Sequence, residues 1–174
     1  RVRGDKRRST ILETAVEVFG ELGYRGTSLR EIARRVGISD AGLLHHFGSK
    51  VGLLAATIAE RDEIDRRRRE ESEAAGVSFV DTMRDQVVRN TRSPGLVALH
   101  VVLSAEATDP QHPAHESFRE RYRAIRHQDD ESFSRLQEQG ELRTDLDPKR
   151  VGQLVTAMMD GLQLQWLLDP DAVD

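Results

Sequence analysis

Residues 27–50, TSLREIARRVGISDAGLLHHFGSK, constrain the fold more than any other stretch of this chain. Ser28 followed three residues later by Glu31 has the pattern of a capping box, in which the hydroxyl accepts from an exposed helical amide and the carboxylate reaches back. A helix is therefore expected to start there. Leu29, Ile32, Ala33 and Val36 recur at the three-and-four spacing of one buried helical face, with Arg30, Glu31, Arg34 and Arg35 turned away. Gly37 tolerates the left-handed conformation that ends helices, and Ser39 can cap a new helix from Asp40 to about Phe47, with Leu43 and Phe47 facing inward. About three residues separate the two helices, the connection length of a DNA-binding helix-turn-helix.

The residues from Thr10 to Leu54 resemble, in order, the DNA-binding domain of the TetR family of transcriptional regulators. The resemblance is carried by Ile11, Ala15, Phe19, Gly23 and Tyr24 on a preceding helix and by Thr27 and Ser28 at the start of the second. It continues through Ile32, Ala33, Gly37, Ile38 and Ser39, then Leu43, His46, Phe47, Ser49, Lys50 and Leu54. One position departs from the family pattern. Members often carry a tyrosine, whose hydroxyl commonly touches a phosphate, where this chain has Leu44.

A helix opening with Ser39, Asp40 and Ala41 would offer its first turns to the major groove, where Gly42 has no side chain to hold the backbone away from the bases. His45 is read as the principal base reader. His46 lies about 100° round the helix from it, so the two rings cannot do one job. The resemblance implies that His46 and Lys50 grip phosphate. Thr27 and Ser28 offer hydroxyls and free amides to another phosphate at a helix N-terminus, and Arg30, one turn into that helix, can reach a base edge or the backbone.

The overall charge of −4 does not suggest a nucleic-acid binder, but its distribution does. Residues 1–54 hold ten basic against six acidic side chains, and residues 55–174 hold sixteen against twenty-four. The N-terminal end would attract phosphate while the acidic body is repelled from it. With 174 residues there is length for one large or two small domains. The absence of cysteine excludes disulfides and thiolate metal sites. No apolar run is long enough to span a bilayer and no signal peptide is visible, so no membrane association and a cytoplasmic location are expected.

Taken in order, Arg1 to Arg8 is a basic arm, read either as tracking the DNA backbone or as a mobile solubilising tail. The first helix is expected to bury Ile11, Leu12, Ala15, Val16, Phe19 and Leu22 and to end at Gly23. A fourth helix should open at Ser49 and run through a polar stretch to the break at Ala74, Ala75 and Gly76. Its arginine run, Arg66 to Arg69, lies roughly 24 Å beyond Lys50. The run is read as a solvated face laced by pairs such as Asp62 with Arg66 and Asp65 with Arg69. This divides the chain into a helix-turn-helix domain, 1–54, and a helical ligand-binding and dimerisation domain, 55–174.

The second domain is helical in period throughout, so the fold class is all-α. Ser78 and Asp81 cap a helix carrying Val80, Met83 and Val87. Pro94 opens another, whose LVALHVVLSA core is apolar on nearly every side and should be buried. Asp109 to Pro113 reads as a turn. Two long helices follow, about 114–139 and 149–168. In the proteins this chain resembles, the last two long helices pair with their copies as a four-helix bundle, and Ala157 and Gly161 would here either permit close approach or accommodate a bulky neighbour within the same subunit. A dimer also follows from the argument that one short recognition helix makes too few base contacts, whereas two copies read a palindrome.

The resemblance further implies a small-molecule effector that moves the DNA heads apart. Met83, Val87, Leu99, His100, Leu103, Tyr122, Met158, Leu162 and Trp166 are the candidate lining, although apolar residues at helical spacing are also what any core needs. Such a ligand would be largely apolar, with His100 orienting a polar group. Asp109, His112, His115 and Glu116 lie close in sequence, but Pro113 interrupts them and they read as a surface loop, so no metal and no cofactor is expected. No nucleophile elbow, phosphate loop or zinc-helix signature is present. The expected function is a sequence-specific repressor, released from a palindromic operator on double-stranded DNA by its effector. The alternatives are a ligand-independent DNA-binding dimer and, less favoured, an enzymatic activity in the second domain.

Overall fold

Glycine governs how the first helix meets the rest of the chain. In the computed structural model, which describes residues 2–173 and the side chains from 6 to 173, α1 (Val2–Gly26) bends at Gly23, where φ is 67°. The helical rise expected to stop there instead resumes for three residues. Three positions earlier, Gly20 has no side chain because a methyl group there would stand 2.9 Å from the carbonyl oxygen of Gly95 and 3.0 Å from the amide of Leu99. This close approach is the crossing of α1 over α6 (Pro94–Glu106), the most extensive helix contact in the fold.

Between them lie α2 (Leu29–Val36), α3 (Asp40–Phe47), α4 (Lys50–Ala74) and α5 (Phe79–Thr91), and after them α7 (His115–Glu138) and α8 (Pro148–Leu168). The described residues contain eight helices and no strand, so the protein is all-α. The chain forms two compact units, Arg1–Thr108 and Asp109–Asp174.

In the first unit, Ile11, Leu12, Ala15, Val18 and Phe19 of α1 close over Ile32, Ala33, Leu43, Leu53 and Leu54. Val18 joins the expected stripe, from which Val16 is half-buried and Leu22 absent. Leu22 is 45% exposed because it stands in the last turn before the break at Gly23, where the covered face ends. The basic segment from Val2 is part of α1 rather than a separate arm, and Arg8 reaches Glu60 and lies over the Phe47 ring. Arg1 lies outside the described residues.

Other expectations need correction. On α4, Arg66 bridges Glu63 and Glu70, while Asp65 takes Arg61 at 2.9 Å. Arg66 thus lies between two glutamates one turn away on either side, and the polar stretch of α4 is laced by pairs at helical spacing. The helix α5 buries no residue completely: Val80 and Val87 are exposed and Met83 is half-buried. Of the apolar α6, only Val97, Leu99 and Leu103 are fully buried. In the turn before α7, His112 is buried rather than displayed, its Nδ1 accepting from the Ala114 amide at 3.2 Å.

In the second unit, α7 and α8 pack together. Gly152 permits this, since a methyl group there would lie 2.7 Å from Cβ of Asp129. Polar links span the pair: Tyr122 donates to Asp160 and Thr156 to Asp129, each at 2.7 Å, and the Lys149 ammonium lies 3.7 Å from the Asp130 carboxylate. Burial raises the carboxyl pKa of Asp129, and the Thr156 bond opposes that rise. The Asp147 side chain caps α8 through the Lys149 amide. Leu154, Ala157, Met158, Gly161, Gln165 and Leu168 fall along one stripe of α8. Leu154 is 70% and Leu168 78% exposed, and nothing stands within 4 Å of a side chain at Gly161.

Candidate DNA interface

The helix-turn-helix forms as its local chemistry dictates. Ser28 caps α2 by accepting from the Glu31 amide at 3.1 Å, and Gly37, at φ 76°, closes the helix by donating to the carbonyl of Ala33. Ile38 follows, and Ser39 caps α3 by accepting from the Gly42 amide at 3.1 Å. Ser49 repeats the device on α4, accepting from Gly52 at 3.0 Å. Leu43 is completely buried and anchors α3 by its inner face. Ser39, Asp40, Ala41, Leu44, His45 and His46 are left exposed, with Gly42 half-buried.

The second half of the capping box does not form. The Glu31 carboxylate turns outward to Arg34 and Arg35, with contacts of 2.8–2.9 Å, because two guanidinium groups outcompete one backbone amide. Those bonds hold its carboxyl down at about 2. Arg35 is shared with Glu21, 2.7 Å away, which is itself held below the usual carboxylate range by that hydrogen bond. Arg34 and Arg35 are thus neutralised in place. Arg30 stands exposed on the same helix outside this network.

Thr27 departs from expectation. Its side chain is buried, and its hydroxyl donates to the carbonyls of Gly23 at 2.7 Å and Val18 at 3.3 Å, so it secures the α1–α2 corner instead of facing outward. Ser28 is exposed, but its Oγ is committed to the cap. Lys50 is half-buried, and its ammonium lies 4.4 Å from the centre of the Tyr24 ring. Desolvation lowers its pKa, and the Glu106 carboxylate opposes that shift. The His45 and His46 rings meet edge to face with centroids 5.9 Å apart. The structure therefore assembles Ser39, Asp40, Ala41, Gly42, His45 and His46 on one short helix, with Arg30 on the neighbouring one.

Two models of protein families match the chain. Residues 11–57 match the bacterial regulatory proteins of the tetR family, and residues 81–174 match the C-terminal domain of BetI-type transcriptional repressors. The transcriptional regulator UidR of Escherichia coli (strain K12) is 31% identical over 96% of this chain and 83% of its own length.

The chain belongs to the TetR family.

This TetR-family protein is accordingly a DNA-binding transcriptional regulator, not an enzyme. Solved structures agree with the fold. GusR of Salmonella enterica is 29% identical, with a TM-score of 0.73 over 91% of this chain and 82% of that one. FadR of Bacillus subtilis, solved in complex with stearoyl-CoA, is 19% identical with a TM-score of 0.73, covering 95% and 90% of the two chains.

Within the TetR frame, Leu44 is an exposed apolar residue on α3 and has no hydroxyl to offer a phosphate. The nine ligand-lining candidates fall into both compact units. In the first, Leu99 and Leu103 are buried, Met83 and His100 are half-buried, and Val87 is exposed. In the second, Trp166 is half-buried and the Tyr122 hydroxyl is bonded to Asp160. Met158 and Leu162 are exposed, Met158 on the open stripe of α8. No helix among the described residues is long and apolar enough to cross a membrane. Sequence reading missed the tie of Arg8 to Glu60 and that of Glu106 to Tyr24. Neither contact carries a local signal, because the partners lie more than fifty residues apart.

Proposed function

We propose that this TetR-family regulator is a homodimeric repressor in the cytoplasm, whose DNA-reading head spans 1–54 and whose remainder, 55–174, dimerises and receives an effector. The observation that carries this reading is the uncovered apolar stripe of α8, with Leu154, Met158 and Leu168 exposed around Ala157 and Gly161. Exposed apolar residues contiguous along a helix mark a surface for a partner, and the recurrence of small residues on the stripe suits close packing against a copy of the same helix. A two-fold pair of heads then supplies what one two-turn α3 lacks, namely enough base contacts to define an operator. Two heads would occupy successive major grooves about 34 Å apart.

On each head, Ser39, Asp40, Ala41 and Gly42 enter the groove, His45 reads base edges, and His46, Lys50 and Arg30 hold the phosphates, with Ser28 presenting the amides of its helix end. Thr27 contributes by fixing the corner from within. The effector is a largely apolar small molecule, a reading consistent with the apolar α6, where His100 would orient its polar group. Met158 and Leu162 suit the subunit interface better than a ligand. Ligand releases the operator only through its difference in affinity for the bound and free head spacings.

Sedimentation tests the dimer directly. The wild type is expected to sediment as two chains and to bind a palindromic duplex as two chains, and a Leu154→Glu, Met158→Glu variant as one. A double variant that remains dimeric would remove the assigned interface.

A further inference from the structure

The last residue of α6 reaches the DNA-reading head. The Glu106 carboxylate accepts from the backbone amide of Tyr24 at 2.6 Å, across 82 residues of sequence. It occupies the space that a side chain at Gly23 would need, since a methyl group there would be 2.6 Å from one carboxylate oxygen. The Tyr24 ring stacks on the buried Phe19 with centroids 6.3 Å apart, and the Lys50 ammonium also lies against it. Lys50 is the first residue of α4, next to the Ser49 that caps it and three residues past the end of the recognition helix at Phe47. A carboxylate at the C-terminal end of a helix faces the unfavourable pole of the helix dipole. At Glu106 that cost is offset by a charge-assisted bond to a neighbouring element.

We propose that Glu106 is a positioning residue for DNA binding: it ties the end of α6 to the break in α1 and, through Tyr24, sets where the Lys50 ammonium stands. The inference rests on the DNA-binding reading of Lys50. Gly20 and Gly95 lock α6 to α1 at their crossing, so the carboxylate at the end of α6 meets the α1 break in a defined place. A shift of the end of α6 would therefore reach the head at Tyr24. Tyr24 lies in the short segment that leads through Thr27 into α2, and it carries the ring on which Lys50 rests.

The test measures binding of the full chain to two duplexes, one carrying the sequence it selects from a random pool and one of scrambled sequence, over a salt series. Glu106→Ala leaves the Lys50 charge in place and removes only what fixes its position, so it is expected to lose at least tenfold of the preference for the selected duplex while binding to the scrambled duplex changes less than threefold. Glu106→Gln keeps an acceptor for the Tyr24 amide and is expected to restore most of the preference. A role in folding alone would lower the melting temperature and leave the preference of the folded protein unchanged. Should Glu106→Ala fold poorly, the Gln and Asp variants decide the matter. Asp, one methylene short of Tyr24, should lose preference where Gln keeps it. A preference within twofold of wild type in both Ala and Asp variants would overturn the proposal, as would equal losses in Gln and Ala. A wild type that selects no sequence would overturn the DNA reading itself, and this inference with it.

Discussion

The Lys50 ammonium lies 4.4 Å above the Tyr24 ring, so the cation expected to meet DNA phosphate is held against the segment that joins α1 to α2. An exposed lysine would sweep a wide volume. This one is half-buried and oriented before any DNA arrives, which limits the entropy lost when it binds.

Lys50→Ala should weaken binding to every DNA sequence and reduce the slope of log affinity against log salt by about 1, since one phosphate contact is lost. His45→Ala should leave that slope in place and lower discrimination at one or two base positions by about 1–3 kcal/mol. Quantitative binding to the selected duplex and its single-base variants separates the two effects. An unchanged salt slope in Lys50→Ala would show that its ammonium stays with Tyr24 in the complex.

Glu31→Gln tests the neutralised pair on α2. With Glu31 gone, Arg34 loses its carboxylate while Arg35 keeps Glu21. Binding to scrambled DNA should therefore tighten, and its salt slope should steepen by about 1. An unaltered slope would mean that Arg34 does not face the DNA.

The same carboxylate makes a pH prediction. Its folded pKa is depressed from 4.5 to about 2 by the hydrogen bonds from Arg34 and Arg35. A group depressed on folding contributes stability above its unfolded value and loses it as pH falls through its folded value. The difference in melting temperature between wild type and Glu31→Gln should accordingly be constant from neutral pH to about pH 5, then shift against the wild type between about 4.5 and 2. High salt should diminish it, because the Glu31–Arg34 pair lies at the solvent-facing surface of α2. A difference that is flat through this window would show that the bridge contributes nothing.

Gly20→Ala addresses the α1–α6 crossing. The added methyl group would meet backbone at 2.9 and 3.0 Å, which neither helix can relieve by turning a side chain. A destabilisation of about 1–3 kcal/mol is expected, and thermal or urea unfolding measures it. Gly140→Ala is a useful contrast: its cost comes from φ at 78° with nothing within 4 Å to clash.

What could be read in advance was local. Ser28, Ser39 and Ser49 each cap the amide three residues on, a relationship contained within one turn, and Gly37 ends α2 as its freedom at positive φ requires. The apolar spacing placed Ile32, Ala33 and Leu43 correctly in the core. Relationships between distant segments were not legible. Nothing around Gly20 indicates that α6 crosses there, and nothing near Glu106 points to Tyr24. Thr27 reads equally well as a phosphate donor or a corner clamp until the carbonyls of Val18 and Gly23 are seen beside it. The α5 stripe of Val80, Met83 and Val87 has helical period, yet period alone does not say whether another element covers the face.

The most direct measurement is selection of bound sequences from a random duplex pool by the purified chain at near-physiological salt. Enrichment of a palindrome whose half-sites lie about one helical turn apart is the expected result, and it would establish a two-fold, sequence-reading regulator. Binding that enriches no sequence and disappears as salt rises would contradict the assignment of α3 as a base-reading helix, leaving only generic attraction of the basic N-terminal end for phosphate.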